Sequence, residues 1–184
     1  MSVNRFIGAV CTIALGIAAA AASADVMVGG GAMLPSRDIV QNAVNSRDRT
    51  TLVAAVKAAE LIDTLQSKGP FTVFAPVNAA FAALPAGTVE TLLKPENKAT
   101  LTKVLTYHVV PGRLTSEDLE DLIRKGKGSA RLTTVSGGSL WVMKNGDRNI
   151  MVKDETGATA DITVYDVMQS NGVIYSINRV LMPK

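Results

Sequence analysis

The sequence predicts an α+β domain, with helices in its first half and an antiparallel sheet in its second half. In most segments before Arg131, apolar residues recur every three or four positions, as along one face of a helix. From Arg131 onward they alternate with polar residues or form short runs between turn residues, which is typical of strands. No segment is repeated, so we expect a single copy of the fold.

Six helical segments are predicted in the first half. The first, with Thr50 or Thr51 as its cap, has an apolar face made of Leu52, Val53, Val56 and Ala59. The last begins at Thr115 or Ser116, and Asp118 has the spacing of a capping box. Its inward face consists of Leu119, Leu122 and Ile123. The four between them cover residues 60–66, 78–83 and 88–93 and a segment that opens on Pro95 and carries Leu101, Val104 and Leu105.

Strands are predicted where β-branched and aromatic residues run between turn signals. One early strand covers residues 71–74, and the later ones cover 131–135, 140–144, 149–153, 159–164 and 173–177. Asn145-Gly146 is a hairpin signal, and Asp147 and Arg148 lengthen that loop. We therefore expect the later strands to form an antiparallel sheet.

The first 24 residues have the pattern of a secretory signal peptide. Arg5 is the only charge before Asp25, an apolar run covers residues 6–22, and Ala22-Ser23-Ala24 supplies a cleavage site. A membrane anchor is the alternative for this run. Cleavage after Ala24 removes Cys11, so the remaining chain is expected to have no disulfide. We expect a flexible Gly-rich leader at residues 25–36 and the folded domain at 37–184.

The residues that remain give little support to catalysis. His108 is the only histidine, and it lies in an apolar, strand-like segment. Nucleophile-elbow, phosphate-loop and dinucleotide motifs are missing from the sequence. We therefore predict that the protein is not an enzyme and has no cofactor and no metal site. The acidic residues at 117–121 are interpreted as a solvated helix face, and the turn at Asp154-Glu155 as a structural turn, with a weak calcium site there as an alternative.

A basic stretch follows the last predicted helix. It contains Arg124, Lys125, Lys127 and Arg131. One hypothesis is a patch for an anionic polysaccharide or lipid headgroup, and the other is an exposed loop between helix and strand. The formal net charge of +3 is too small for a dedicated nucleic-acid-binding protein.

Three segments together resemble the fasciclin domain, an extracellular adhesion and interaction module. They are TVFAPVNAAF at residues 72–81, YHVVPG at 107–112 and SNGVIYSINRVLMP at 170–183. The resemblance extends from about Ile39 to Pro183. It implies the fasciclin-like fold, with N-terminal helices packed on an antiparallel sheet or wedge.

The resemblance also implies candidate adhesion residues. Tyr107 and His108 match the Tyr-His pair of the family, and Asp166-Val167 takes the place of an Asp-Ile pair in animal members. The Glu-Pro that precedes that pair in animal members is missing here, and so is an Arg-Gly-Asp. The structural alternatives are a core histidine bonded to the backbone and a turn-forming Asp166. If a surface forms here, we expect it around Tyr107, Asp166 and Val167.

These observations predict an exported, non-catalytic binding module that mediates cell adhesion or cell-surface interaction. The expected location is the periplasm or the medium. The expected partner is a cell-surface or matrix protein or a polysaccharide, with no nucleic acid, no stable membrane insertion and a monomeric state. The alternative is a periplasmic binder of a glycan, a lipid or a small apolar ligand.

Overall fold

The computed structural model describes residues 26–147 and 149–184. The predicted signal peptide, its cleavage site, Cys11, Asp25 and the loop residue Arg148 lie outside the described residues. Within the described ranges, no helix combines the length and the apolar character needed to cross a membrane.

The helices follow a short N-terminal hairpin and lie mainly in the first half, as predicted. The hairpin consists of β1 (Val26–Val28) and β2 (Gly31–Met33). The helices are α1 (Ile39–Asn45), α2 (Thr50–Ala58), α3 (Ile62–Gln66), α4 (Asn78–Ala82), α5 (Thr88–Leu92), α6 (Lys98–Tyr107) and α7 (Ser116–Lys125). Short 3-10 turns at Arg47–Arg49 and Pro95–Asn97 precede α2 and α6.

The larger sheet has seven strands in the order β4-β3-β9-β8-β7-β6-β5. They are β3 (Phe71–Pro76), β4 (Val109–Pro111), β5 (Ser129–Thr133), β6 (Ser139–Asn145), β7 (Asn149–Lys153), β8 (Thr159–Gln169) and β9 (Gly172–Ile177). From β5 to β9 each strand pairs with its sequence neighbour in antiparallel fashion, which agrees with the predicted antiparallel sheet. The prediction of an antiparallel sheet is incomplete, because β3 and β9 are parallel. A parallel pair cannot be joined by a tight hairpin, and most of the domain lies between these two strands.

The sheet has an apolar cluster on each face. Successive side chains of a strand point to opposite faces, so Val73 and Ile174 pack with the helices α1–α3 and α6. Their neighbours Phe74 and Tyr175 pack into the second cluster, which includes Leu119 of α7 and side chains of β5–β8. All six residues of β9 are buried as a result.

The segment predicted as a flexible leader, residues 25–36, contains the hairpin of β1 and β2. Val28 pairs with Gly31, which leaves Gly29 and Gly30 as a two-residue turn with φ of 57° and 73°. Positive φ at both positions is the requirement of a type I′ hairpin turn, so the glycines specify a turn and not disorder. The side chains of Val28 and Met33 belong to the helix-side core cluster.

The sequence predicted the start of one helix correctly, placed the start of a second slightly too late and missed a third. Thr115 and Asp118 form the capping box of α7 as expected. Thr50 is the first residue of α2 and not its cap, and the backbone N–H of Thr51 donates to Asn78 Oδ1 at 3.1 Å. Helix α1 was missed, although Asp38 and Gln41 form a capping box at its start.

The N-terminal hairpin should contribute to stability if it is part of the core. Met33 is 1% exposed and Met27 is 64% exposed. We expect Met33→Ala to lower the free energy of unfolding by about 2–5 kcal/mol, because it leaves a cavity in the core. Met27→Ala is the matched control and should change it by less than about 0.5 kcal/mol. Urea denaturation measures both, and equal midpoints for the two variants would support a disordered leader.

Candidate functional site

Tyr107 and His108 lie at the end of helix α6, not in a strand as the sequence suggested. Tyr107 is the last residue of the helix and His108 is its C-cap, with φ of −82° and ψ of −2°. Strand β4 begins only at Val109. Both side chains are buried, with 0% exposure for Tyr107 and 3% for His108. The pair therefore lies inside the domain, where the chain turns from helix into sheet.

Both ring nitrogens of His108 are used by the backbone. Nδ1 lies 2.8 Å from the carbonyl oxygen of Val104, and the N–H of Leu181 donates to Nε2 at 3.0 Å. Because Nε2 accepts a hydrogen bond, Nδ1 carries the proton and the ring is neutral. Burial lowers the pKa of His108 to about 4, against the opposing effects of the Val104 carbonyl and the Asp154 carboxylate. These contacts agree with the structural alternative, a core histidine bonded to the backbone.

The polar end of Tyr107 is also bonded internally. Its hydroxyl donates to the carbonyl oxygen of Ser139 at 2.7 Å and accepts from the N–H of Glu155 at 3.0 Å. Burial raises the pKa of Tyr107 to about 12, although the bond from Glu155 opposes this. The ring fits against Gly138, where an added Cβ would lie 2.6 Å from Tyr107 Cε2. In this structure the Tyr107 hydroxyl is therefore occupied by contacts inside the domain.

The turn at Asp154-Glu155 holds the last residues of the domain. Asp154 is 1% exposed, and its Oδ1 accepts from the N–H groups of Thr156 and Ala158 at 2.9 and 3.0 Å. Its Oδ2 accepts from the N–H of Met182 at 3.0 Å. Glu155 accepts from the N–H groups of Ser139 and Lys184, and these bonds lower the pKa of its carboxyl. We call Tyr107, His108, Asp154 and Glu155 together the C-terminal clasp.

Asp166 and Val167 lie within strand β8, not in a turn before the last hairpin. The register between β8 and β9 shifts between Val164 and Val167, and Asp166 has a φ of 50° in this irregularity. Asp tolerates this left-handed conformation better than most residues. Val167 is completely buried in the helix-side core cluster.

The Asp166 carboxylate is occupied by the start of helix α7. Its Oδ1 accepts from the N–H of Ser116 at 2.8 Å, and its Oδ2 accepts from the Ser116 hydroxyl. The Tyr175 hydroxyl lies 3.0 Å from the same Oδ1. Burial and this neighbouring charge raise the pKa of Tyr175. A carboxylate at this position also interacts favourably with the helix dipole.

The structure does not bring the four family-derived residues together on one surface. Tyr107 and His108 belong to the C-terminal clasp, whereas Asp166 and Val167 connect β8 to α7 and to the core. Only Asp166 is partly exposed, and its oxygens are engaged. As they stand in the structure, their side chains maintain the fold.

The basic stretch, in contrast, is exposed. Arg124 and Lys125 end helix α7, where cations complement the helix dipole, and Lys127 follows with a φ of 55°. Arg131 lies on the edge strand β5 and donates from Nε to Ser139 Oγ at 2.8 Å. Arg124 also pairs with Asp121. We call Arg124, Lys125, Lys127 and Arg131 the basic loop.

The acidic residues do not form a metal site in the described part of the chain. Within residues 26–147 and 149–184, no group of three or more His, Cys, Asp or Glu side chains is placed to hold a metal ion. The Asp118 carboxylate accepts from the Thr115 N–H in the capping box of α7, Glu120 pairs with Lys144 and Asp121 pairs with Arg124. At Asp154, where a weak calcium site was the alternative, both carboxylate oxygens accept hydrogen bonds from backbone N–H groups.

The buried neutral His108 should make stability depend on pH. Its pKa is lowered to about 4 in the folded state, against 6.5 in the unfolded chain. Between these two pKa values the unfolded state therefore binds more protons than the folded state. The stabilisation that comes from the neutral His108 ring is complete above pH 6.5 and is lost as the pH falls toward 4. Between pH 7.5 and 5 we expect a loss of about 2 kcal/mol in the free energy of unfolding. The His108→Gln variant, measured by urea denaturation at both pH values, should not show this loss in the free energy of unfolding. The assignment would be contradicted if the free energy of unfolding of the variant and of the unsubstituted protein fell equally between the two pH values.

Asp166 should respond to substitution as a fold-forming residue. We expect Asp166→Lys to lower the free energy of unfolding by about 1–3 kcal/mol, because Ser116 loses its acceptor. Asp166→Asn retains an acceptor and tolerates the left-handed backbone, so it should cost less than about 1 kcal/mol. Urea denaturation compares the two. A lysine variant as stable as the unsubstituted protein would contradict this role.

Comparisons with known proteins agree with this architecture. The fasciclin domain profile matches residues 47–183. Protein sll1483 of Synechocystis sp. is 47% identical over 145 residues, which cover 79% of this chain and 73% of that protein. The immunogenic protein MPB70 of Mycobacterium bovis is 36% identical over 146 residues, covering 77% of this chain and 66% of MPB70.

A solved structure shares the fold. It is the FAS1 domain pair of the insect cell adhesion molecule Fasciclin I, which superposes with a TM-score of 0.71 at 18% identity and covers 86% of this chain and 57% of that one. The three sequence segments, the helix-then-sheet architecture and the profile match over residues 47–183 lead to the same assignment. The chain belongs to the fasciclin domain family.

Proposed function

We propose that the protein is an exported, non-catalytic binding module that mediates adhesion or another cell-surface interaction from the periplasm or the medium. Membership of the fasciclin family supports this, and the solved relative is named as a cell adhesion molecule. The site geometry agrees, because the one histidine and the buried carboxylate Asp154 are used to hold the fold. N-terminal sequencing of the exported protein tests the cleavage after Ala24.

The binding surface that the geometry favours is the basic loop. The supporting observation is that Arg124, Lys125, Lys127 and Arg131 are all exposed, whereas the family-derived residues are buried or internally bonded. The loop is held in place by Leu119 and Ile123, which anchor α7 in the core. The backbone of the loop also packs closely on itself at Gly126, where an added Cβ would collide with the carbonyl oxygen of Ser129. Exposed cations on a fixed backbone are suited to binding an anionic surface.

The partner class that fits this loop best is an anionic polysaccharide. Long polyanions can contact several cations at once, and such contacts lose strength as salt screens them. Stacking on aromatic residues, which single-stranded nucleic acids use, has no support in the loop, since residues 124–131 contain no aromatic side chain.

The proposal predicts that binding depends on the loop and not on overall charge. We expect Arg124→Gln, Lys125→Gln and Lys127→Asn together to weaken binding to an immobilised sulfated polysaccharide at least about tenfold at low salt. Asn is chosen at position 127 because it tolerates the positive φ. Surface plasmon resonance at low and high salt, with neutral dextran as the reference surface, measures the effect.

The matched control removes three cations elsewhere. Lys68, Lys94 and Lys153 are exposed, and changing all three to Gln gives the same change in net charge. This variant should bind within about twofold of the unsubstituted protein. An equal loss in both triple variants would mean that binding reflects net charge alone. No loss in the loop variant would place the adhesion surface elsewhere.

A further inference from the structure

The dipeptide Asn-Gly occurs twice in the chain, at residues 145–146 and 171–172, and the two copies lie in opposite environments. In this dipeptide the backbone nitrogen of the glycine can attack the side-chain amide of the asparagine before it. Glycine favours the attack because it has no Cβ beside that nitrogen and leaves the backbone free to rotate. Whether the attack takes place in a folded protein therefore depends on how firmly each copy is held.

The copy at Asn145-Gly146 is open. Asn145 is exposed and is the last residue of β6, and its pair with Asn149 ends the β6–β7 ladder. Gly146 has a φ of 73°, and a Cβ added there would meet no described residue beyond its chain neighbours within 4 Å. The Asn145 Nδ2 donates to Asp161 Oδ1 at 2.7 Å, and this hydrogen bond is exposed. A terminal strand pair and an exposed hydrogen bond therefore hold this asparagine.

The copy at Asn171-Gly172 is closed. Asn171 is 8% exposed, and its Oδ1 accepts from the N–H of Ile39 at 3.1 Å. Its Nδ2 donates to the carbonyl oxygens of Leu65 and Ser67 at 2.7 and 3.1 Å. Gly172 is the first residue of β9, and all six residues of that strand are buried. The Asn171 side chain therefore has to break three hydrogen bonds inside the domain before it can react.

Local opening of the fold controls the reaction at each copy. The glycine nitrogen must approach Cγ of the asparagine, so both the side chain and the backbone of the dipeptide have to rotate. The end of an exposed hairpin opens at a much smaller free-energy cost than a strand of the core. Asn145 lies at such an end, whereas opening at Asn171 disrupts the start of the central strand β9.

We propose that Asn145 is a site of spontaneous deamidation in the folded protein. The Gly146 nitrogen forms a bond to Asn145 Cγ, and the bond between Cγ and Nδ2 breaks. The side-chain amino group leaves with the proton of the Gly146 N–H as ammonia, and a five-membered succinimide ring remains. Water then opens the ring at either carbonyl and gives aspartate or isoaspartate, without oxidation or reduction. This inference depends neither on adhesion nor on the basic loop.

Both products change the β6–β7 hairpin. Each replaces the amide of Asn145 by a carboxylate, so two like charges take the place of the hydrogen bond to Asp161. Isoaspartate also adds one carbon to the main chain, which disturbs the register that pairs Asn145 with Asn149. The hairpin therefore acquires negative charge as the molecule ages, while the core around Asn171 is preserved.

The test is a time course on the purified, folded protein at mildly alkaline pH. Peptide mass spectrometry measures the fraction of each asparagine that has been converted. We expect Asn145 to react at least about tenfold faster than Asn171, because its local opening costs less free energy. The matched control is the same time course in guanidinium chloride, where the two copies share the dipeptide and lack the fold. There the two rates should agree within about threefold.

A variant connects the new charge to Asn145. The Asn145→Gln side chain would have to close a six-membered ring, so this variant should lose the more acidic form that cation-exchange chromatography separates from the unsubstituted protein. The proposal is overturned if folding protects Asn145 as strongly as it protects Asn171. It is also overturned if Asn145→Gln forms the acidic species as fast as the unsubstituted protein does.

Discussion

The parallel pairing of β3 with β9 joins the two halves of the domain. It runs through six residue pairs, from Phe71 with Gly172 to Pro76 with Ile177. One face of the pair supplies Val73 and Ile174 to the helix-side cluster. On the other face the rings of Phe74 and Tyr175 stack with centroids 5.6 Å apart. A pair of strands buried on both faces must be apolar in sequence, and every layer of the domain packs against it.

Hydrogen bonds from buried and half-buried polar side chains connect this central pair to the rest of the domain. His108, Asp154 and Glu155 each accept a hydrogen bond from the backbone of residues 181–184, and Asp166 does the same for the start of α7. The bonds from Leu181, Met182 and Ser116 satisfy backbone groups that would otherwise be unpaired near the core. The segments by which the chain resembles its family therefore carry information mainly about the fold. One fold can carry different functions, so the fold alone does not identify a binding surface.

The sequence predicted those elements of the fold that depend on residues close together in the chain. Strand β7 was predicted at its observed bounds, and the capping box of α7 was read from Thr115 and Asp118, because both depend on neighbours within a few residues. The site was harder to predict. Tyr107 bonds to Ser139, Asp166 to Ser116 and Arg49 to Ser176, across 32, 50 and 127 positions in sequence, and no periodicity encodes such distances. The N-terminal hairpin was missed for another reason, since Gly29-Gly30 fits both a flexible segment and a type I′ turn, and only the burial of Val28 and Met33 decides between them.

The place of β9 in the sheet has a consequence for how the protein is made. β9 is translated after every other described strand, yet it lies between β3 and β8. A growing chain that has not reached residue 177 therefore lacks the complete strand β9, which contributes side chains to both core clusters. Such an order delays folding until the non-local contacts can form together. For the export proposed above, this delay keeps the sheet from closing before the whole chain has crossed the membrane.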